Sequence, residues 1–530
     1  MLLTNKSIVL SYAAVLVLAA FLLFYDLGNR LLWDDEALTA DLAINIQKYG
    51  LPRTFDGKNH LIFLGPAVDT NGKQVWTWSP WLAEYLTAGS FSLFGKSTAT
   101  ARLPFALAGF FSVILLFALT YRVFNSHGIS LLAGFLFTVN ELFILHARQC
   151  RYYALIVFAE IWFMYGIYYL LKGSRRRGII HAALAMAVQF YSNYMVLQGN
   201  VIALLLFAFY KKKSDSAFFN HAILSLGVVF ALAAPWVIYA DLWHKASYIS
   251  SRNIVYEMFY YLLEMNFFML PFAVVLIPLF VRLFPHSNDN SAKKLSGPQR
   301  DFIKFLILLI PFNLLFSSLT PWYYLRYIIP LIPVSMILVP LIITRYVKNV
   351  AAAALIVILL SMSNYISYYT LYPVAGIKTY ISGMFPVAKY HEPRLPLVDL
   401  IKETVTPYTD RLKDVAAYLN ANVRDNETVL VTASEFSLIF YTNIRYADPL
   451  APGGVQGLPD WIIPESASGL IERLNAKHMP HALPENIKDL YKPHTIVIHN
   501  TQRGGSLPEP DVRERFTSEA LTTMDIYRRR

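Results

Sequence analysis

Apolar residues along this chain gather in blocks near twenty residues long. The first runs from Ile8 to Leu27, with span one at about 8–27. Further blocks follow at about 104–124, 128–146, 152–171, 178–196, 197–210, 222–241, 265–284, 302–320, 325–344 and 349–370. About 20 apolar residues is the length of a helix that crosses a bilayer. The pattern therefore predicts eleven spans, with 178–196 and 197–210 set tightly together. Between the first two spans lies a polar and aromatic segment, 28–100, too long for a simple connector. Within it Leu38, Leu42, Ala43 and Ile46 recur near helical spacing. Glu36 to Tyr49 thus reads as an amphipathic helix lying on the interface, ended by Gly50-Leu51-Pro52. Beyond 370 the pattern changes. Residues 371–397 are rich in Pro, Gly and Tyr and read as a linker. After them Asp410–Leu419 reads as a helix, Thr428–Thr432 as a strand, Phe436–Tyr441 as a short helix and Thr495–His499 as a strand. The expected organisation is an α-helical polytopic membrane domain over 1–370, the linker, and a small α/β domain over 398–530. Gly453-Gly454 and Gly504-Gly505 read as turns, and no internal repeat is visible.

Composition agrees. The 530 residues are 56% hydrophobic and 15% charged, with mean hydropathy +0.42. Soluble domains are about 45–50% apolar and about 25% charged. The net charge of +11 would suit nucleic acid, but its distribution does not. Residues 398–530 hold 15 Lys and Arg against 18 Asp and Glu, so the basic excess belongs to the membrane part. There it sits in short loops: Lys172 with Arg175–Arg177, Lys211–Lys213, Lys293-Lys294 with Arg300 and Lys304, and Arg345 with Lys348. That side is expected to be cytoplasmic, together with the N-terminus and Lys6. The segments 28–100, 145–152, 242–264 and 320–326 fall on the other side, and with an odd count of spans so does the tail. The first apolar run lacks a small-residue cleavage site and reads as a retained helix. The one cysteine, Cys150, excludes an intramolecular disulfide.

The chemistry collects on that other side. Asp34-Asp35-Glu36 places three carboxylates just beyond span one, where an acidic group near hydrocarbon marks either a functional site or a solvated helix start capped by Asp34. Trp76, Trp78 and Trp81 follow, then Arg102 at the entrance of span two. Arg148 and Arg151, with Tyr152 and Tyr153, lie between spans three and four, and Arg326 lies in Trp322-Tyr323-Tyr324-Leu325-Arg326-Tyr327. Arginine on this side runs against the positive-inside bias and favours a specific anionic partner. A carboxylate takes a proton from a hydroxyl, a guanidinium holds phosphate, and aromatic faces suit sugar rings or anchor at the interface. Together they fit attack by a hydroxyl on a sugar whose leaving group is a lipid phosphate. His60 and His146 have no metal-ligand spacing, Glu160 reads as paired inside the bundle, and no metal or other cofactor is expected.

Five pieces in order resemble the C-type (GT-C) membrane glycosyltransferases. They are Asp35-Glu36, Gly50-Leu51-Pro52, Ser79-Pro80 with Phe94-Gly95 and Arg102-Leu103-Pro104, Arg151-Tyr152-Tyr153-Ala154-Leu155, and Arg326-Tyr327 with Pro330. The nearest branch is the bacterial group related to lipid A aminoarabinose transferases and protein O-mannosyltransferases. The resemblance implies a GT-C fold in a bacterial inner membrane with a periplasmic tail domain. It implies an inverting transfer from a polyprenyl-phosphate sugar to a lipid or glycan hydroxyl. Asp35 would be the general base with Glu36 in support. Arg151 and Arg326, with Arg102, would meet the donor phosphate, and Asp34, Tyr152, Tyr153, Trp78 and Tyr324 would line the substrate. Relatives often read Lys-Pro-Pro-Leu where this chain has Trp78-Ser79-Pro80-Trp81. They also carry an Asp shortly after the arginine that precedes span four, where this chain has Tyr152, Tyr153 and Ala154. The rival readings are a lipid-linked sugar flippase or transporter, a surface-glycan polymerase or ligase, and a glycan-binding protein anchored by its spans.

Overall fold

The computed structural model describes residues 5–245, 254–283, 295–320, 324–371, 393–406, 411–431, 434–448, 458–464, 490–500 and 520–530. Most of the 371–397 linker, the Trp322-Tyr323 pair, Lys293-Lys294, Asp410, Thr432 and the two Gly-Gly turns lie outside them.

The membrane part is a succession of helices. They are α1 (Asn5–Phe24), α2 (Asp34–Tyr49), α3 (Pro66–Asp69), α4 (Leu82–Phe94), α5 (Thr98–Phe124), α6 (His127–Thr138), α7 (Glu141–Ala147), α8 (Tyr153–Leu171), α9 (Arg175–Lys211) and α10 (Ser216–Tyr239). Then come α11 (Leu242–Lys245), α12 (Ile254–Phe268), α13 (Phe272–Leu283), α14 (Gly297–Ser317), α15 (Leu331–Tyr346), α16 (Val350–Met362) and α17 (Tyr365–Leu371). Among the described residues five of these, α1, α5, α8, α9 and α10, are long and apolar enough to cross a bilayer. Counting the bent pairs α6/α7 (62°) and α12/α13 (88°) as single spans gives seven. The described residues thus give five to seven spans by length and apolarity, where the sequence predicts eleven. Several of the predicted runs are broken or short: α15 and α16 have 16 and 13 residues.

The tight pair 178–196 and 197–210 resolves into one assigned helix, α9, broken at Asn193 (φ −161°, ψ 108°). The break reverses the chain. Asn200 Nδ2 donates to Gln189 Oε1 at 3.2 Å, and both side chains donate to the Glu160 carboxylate of α8. In a straight helix residues eleven apart stand about 16 Å from one another. Asn313 of α14 completes this buried clasp by donating to Asn200 Oδ1 at 3.0 Å. Close approach on both sides needs glycine. A Cβ on Gly166 would lie 2.5 Å from the Ala182 backbone nitrogen, and one on Gly199 would lie 2.9 Å from Asn313 Cα. The reversal returns Lys211 to the end of the bundle where Arg175 stands, and there it pairs with Asp301 at 2.8 Å.

The first loop gathers at the opposite end. Lys245 donates to the Thr77 carbonyl, Asn71 to the Tyr239 hydroxyl, and the Tyr194 hydroxyl to the Trp78 carbonyl. Helix α2 is more buried than an interface helix: Glu36, Thr39, Asp41 and Asn45 are buried along with its apolar residues. In place of the expected amphipathic helix lying on the interface, α2 is packed on two sides, by α4 and by the tail. Its end is as expected, with Gly50 in the left-handed region (φ 75°) and its N–H bonded to the Ile46 carbonyl.

In the tail, α18 (Pro396–Val405), α19 (Arg411–Asn422) and α20 (Glu435–Tyr441) accompany five strands. These are β1 (Thr428–Val431), β2 (Arg445–Tyr446), β3 (Trp461–Ile463), β4 (Tyr491–Asn500) and β5 (Ala520–Arg529). The sheet order is β2-β1-β3-β5-β4, with β1 parallel to β2 and β3, and β5 antiparallel to β3 and β4. The tail is docked onto the first loop. Arg30 pairs with Glu403 at 2.9 Å, Asn59 donates to the Ile444 carbonyl, and Lys96 donates to the Phe440 carbonyl.

Candidate active site

The chain between α1 and α2 turns back across the bundle end, and α2 begins at Asp34 with Trp33 as its N-cap. Asp34 is therefore a first-turn residue and not the cap. Three adjacent acids in one helical turn point about 100° apart from each other, and each meets a different environment. Glu36 is fully buried. Arg102 grips it through Nε at 2.8 Å and Nη2 at 2.6 Å, and the Cys150 N–H donates to it at 2.7 Å. Arg102 also donates to the carbonyls of Leu27, Arg30 and Leu31. Its N–H groups are all engaged inside the protein, which seats it under the α1–α2 loop. The local cause is the capped start of α5 at Ser97, which places Arg102 on the second turn, facing α2. Asp34 turns to the tail instead. Its Oδ1 accepts from the Ser437 N–H at 3.3 Å, and burial together with the Glu435 charge raises its pKa to about 8.

Asp35 alone of the three faces an arginine pair. Its Oδ2 lies 3.6 Å from Arg151 Nη2 and 3.4 Å from Arg326 Nη1. Both are ion pairs looser than a charge-assisted hydrogen bond of about 2.7–2.9 Å. The side chains are 21%, 16% and 10% exposed, so the trio is shielded yet still open to solvent. Arg151 is fixed by donating from Nη1 to the Asp35 carbonyl and to Thr39 Oγ1. The Arg326 guanidinium stacks 3.8 Å from the Tyr324 ring centre and 5.5 Å from that of Trp33. Tyr152 lies against Arg151 at 5.1 Å. Tyr153 is buried edge-on to His146. Trp78 accepts at its carbonyl from the Tyr194 hydroxyl. The structure thus brings Asp35, Arg151, Arg326, Tyr152 and Tyr324 together, with Tyr153 beneath. It sets Glu36 and Arg102 behind them and Asp34 to one side.

Three further groups escaped the sequence reading. Glu84 of α4 is 3% exposed and interacts with the Arg151 charge; burial raises its pKa to about 7. Its spacing from Trp81 in an apolar helix gave no signal. Asp69 is buried and accepts from the N–H groups of Phe63, Leu64 and Gly65, closing the first loop. Lys245 donates to Thr77 Oγ1 at 2.9 Å, and burial lowers its pKa to about 8 against the opposing charge of Asp69. Arg148 donates to the Leu22 and Tyr25 carbonyls, a cation at the C-terminal end of α1. Glu141 pairs with Arg394 at 2.8 Å. Among the described residues no group of three His, Cys, Asp or Glu side chains has the arrangement of a metal site.

Residues 79–239 match the dolichyl-phosphate-mannose-protein mannosyltransferase family. No curated protein matches the chain. Among solved structures, ArnT from Cupriavidus metallidurans bound to undecaprenyl phosphate is similar at 14% identity and TM-score 0.53, over 94% of each chain. The chain has the GT-C glycosyltransferase fold. The archaeal oligosaccharyltransferase AglB from Archaeoglobus fulgidus, in complex with an inhibitory peptide and a dolichol-phosphate, is similar at 11% identity and TM-score 0.51. That likeness covers 92% of this chain and 73% of AglB. The GT-C fold accounts for the bundle and for the small tail sheet, and the chain is a multi-pass membrane protein.

Proposed function

We propose that this chain transfers a sugar from a polyprenyl-phosphate donor to a hydroxyl of a lipid or cell-envelope glycan, with inversion, at the periplasmic face of a bacterial inner membrane. The observation that carries this reading is the convergence of Arg151 and Arg326, 175 residues apart in sequence, on the one carboxylate of the acidic triplet left facing outward. The trio carries a formal charge of +1, which suits a phosphodiester of charge −1. The solved GT-C neighbours hold undecaprenyl phosphate and dolichol-phosphate, which supports a donor of that class.

In this reading the donor phosphate enters between the two guanidinium groups and draws them from Asp35. The acceptor oxygen attacks the anomeric carbon, the carbon–oxygen bond to phosphate breaks, and its electron pair stays on the phosphate. The acceptor proton passes to Asp35. The leaving phosphate gains a second negative charge, and two planar, permanently charged forks stabilise it without a general acid. Tyr152 and Tyr324 flank the sugar. Glu36 and Arg102 hold the backbone that presents Asp35. The tail lies on the periplasmic side with residues 398–530 as its domain. Mass spectrometry of lipids and glycans from cells with and without the intact protein tests the proposal. A sugar missing from one lipid or glycan, with its polyprenyl-phosphate form accumulating, is the expected result. Identical profiles would refute it.

A further inference from the structure

The loop that carries Asp35 is held from two sides. Between α1 and α2, Arg102 bonds the carbonyls of Leu27, Arg30 and Leu31 from the membrane part. Leu32 comes next, and both of its backbone polar groups go to the tail. The Leu32 N–H donates to the Tyr441 phenolic oxygen at 2.9 Å, and the Ser437 hydroxyl donates to the Leu32 carbonyl at 2.8 Å. Leu32 and Ser437 are fully buried, so water does not replace these bonds. Tyr441 shares a further 2.6 Å hydrogen bond with Thr98 at the start of α5, which fixes its hydroxyl against the membrane part. Leu32 directly precedes the N-cap Trp33, whose ring lies beside Arg326, and Asp35 is two residues beyond. A shift at Leu32 is passed to Asp35 within a turn of backbone.

We propose that α20 is a positioning element of the active site, with Ser437 and Tyr441 fixing Leu32 and thereby the aim of Asp35. The inference rests on the reading of Asp35 as the base. The tail is then a working part of the transferase and not only a cover. Misplacing a reacting group by an ångström costs up to about a hundredfold in rate, so the tether acts on turnover more than on donor binding.

The test compares wild type, Tyr441→Phe, Ser437→Ala, Lys58→Ala and Asp35→Asn in nanodiscs. Lys58→Ala breaks another tail contact, the Lys58–Asn443 hydrogen bond, without touching Leu32. Hydrogen–deuterium exchange of the peptide over residues 31–37 needs no substrate. Expected are exchange at least about tenfold faster in Tyr441→Phe and Ser437→Ala, and wild-type exchange in Lys58→Ala. With undecaprenyl-phosphate-linked sugars from host membranes as donor, kcat falls about ten- to hundredfold in the two tether variants, while the donor KM stays unchanged. Wild-type exchange over 31–37 in both tether variants overturns the tether. So does an equal loss in Lys58→Ala, which would make the effect one of general docking. Full turnover in Asp35→Asn fails the base assignment instead, and leaves the exchange result to judge the tether alone.

Discussion

Asp34, Asp35 and Glu36 are near-identical in chemistry and adjacent in sequence, yet their partners give them three jobs. Asp35→Asn removes the proposed proton acceptor while keeping shape, so transfer should fall by about 10²–10⁴-fold in a protein that still folds. Glu36→Gln acts the other way. It leaves Arg102 as a buried charge without its counter-ion, a change that costs about 3–5 kcal/mol. A lowered melting temperature in detergent checks this, with lost activity following lost fold. Sequence alone pointed to the triplet and to Arg151 and Arg326, because arginine on the far side of the positive-inside bias is conspicuous. Within the triplet the resemblance put Asp35 first with Glu36 in support, but the residues themselves named none of their partners. The pairing of Glu36 with Arg102 spans 66 residues, and no local pattern records it. Glu84 was illegible for a related reason: one carboxylate in an apolar helix shows its importance only when Arg151 arrives beside it.

Elements show the same division. Blocks of apolar residues located the helices, and α8 and α5 appear within a few residues of the predicted runs. The reversal inside α9 has no Gly or Pro to announce it; Asn193 makes the break, and the Glu160 clasp closes it. Gly199→Leu should force α9 from α14, since even a Cβ there meets Asn313 Cα at 2.9 Å. Loss of folded protein after detergent extraction is the expected outcome. The strands β2, β3 and β5 were missed because β2 and β3 have two and three residues and β5 mixes Thr, Asp and Arg into its length. Docking of α20 on α2 carries a pH dependence whose sign follows from Asp34. Its docked pKa is raised to about 8 by burial, beside Glu435 and Asp35, with Ser437 as its hydrogen-bond donor. The docked state therefore holds an extra proton. Its stability is greatest below the ordinary carboxylate range and is lost as pH rises toward 8. The protection factors of residues 434–441 should fall between pH 6 and pH 8.5, and Asp34→Asn should flatten that fall.

At the scale of the whole molecule, the first loop and the tail meet over the same end of the bundle, and the arginines of the site open there. Lys172 and Arg175 lie at the other end, beside the pair of Lys211 and Asp301. Cysteines placed at Lys73 and at Lys172 should accordingly react with an impermeant thiol reagent from opposite sides of the membrane. Labelling of both from one side would undo the proposed topology. The general plan was readable from hydropathy and charge because a bilayer imposes both. The docking of the tail was not, since it depends on contacts between residues some 400 positions apart, such as Ser437 with Leu32. The most direct measurement is a paired one on purified protein in nanodiscs: binding of undecaprenyl phosphate, and sugar transfer from an undecaprenyl-phosphate donor, by wild type, Asp35→Asn and Arg151→Ala/Arg326→Ala. The account predicts that Asp35→Asn binds the lipid phosphate and transfers at least about a hundredfold more slowly, while the double arginine variant loses binding. Normal transfer by Asp35→Asn, or undiminished phosphate binding without both arginines, would contradict it.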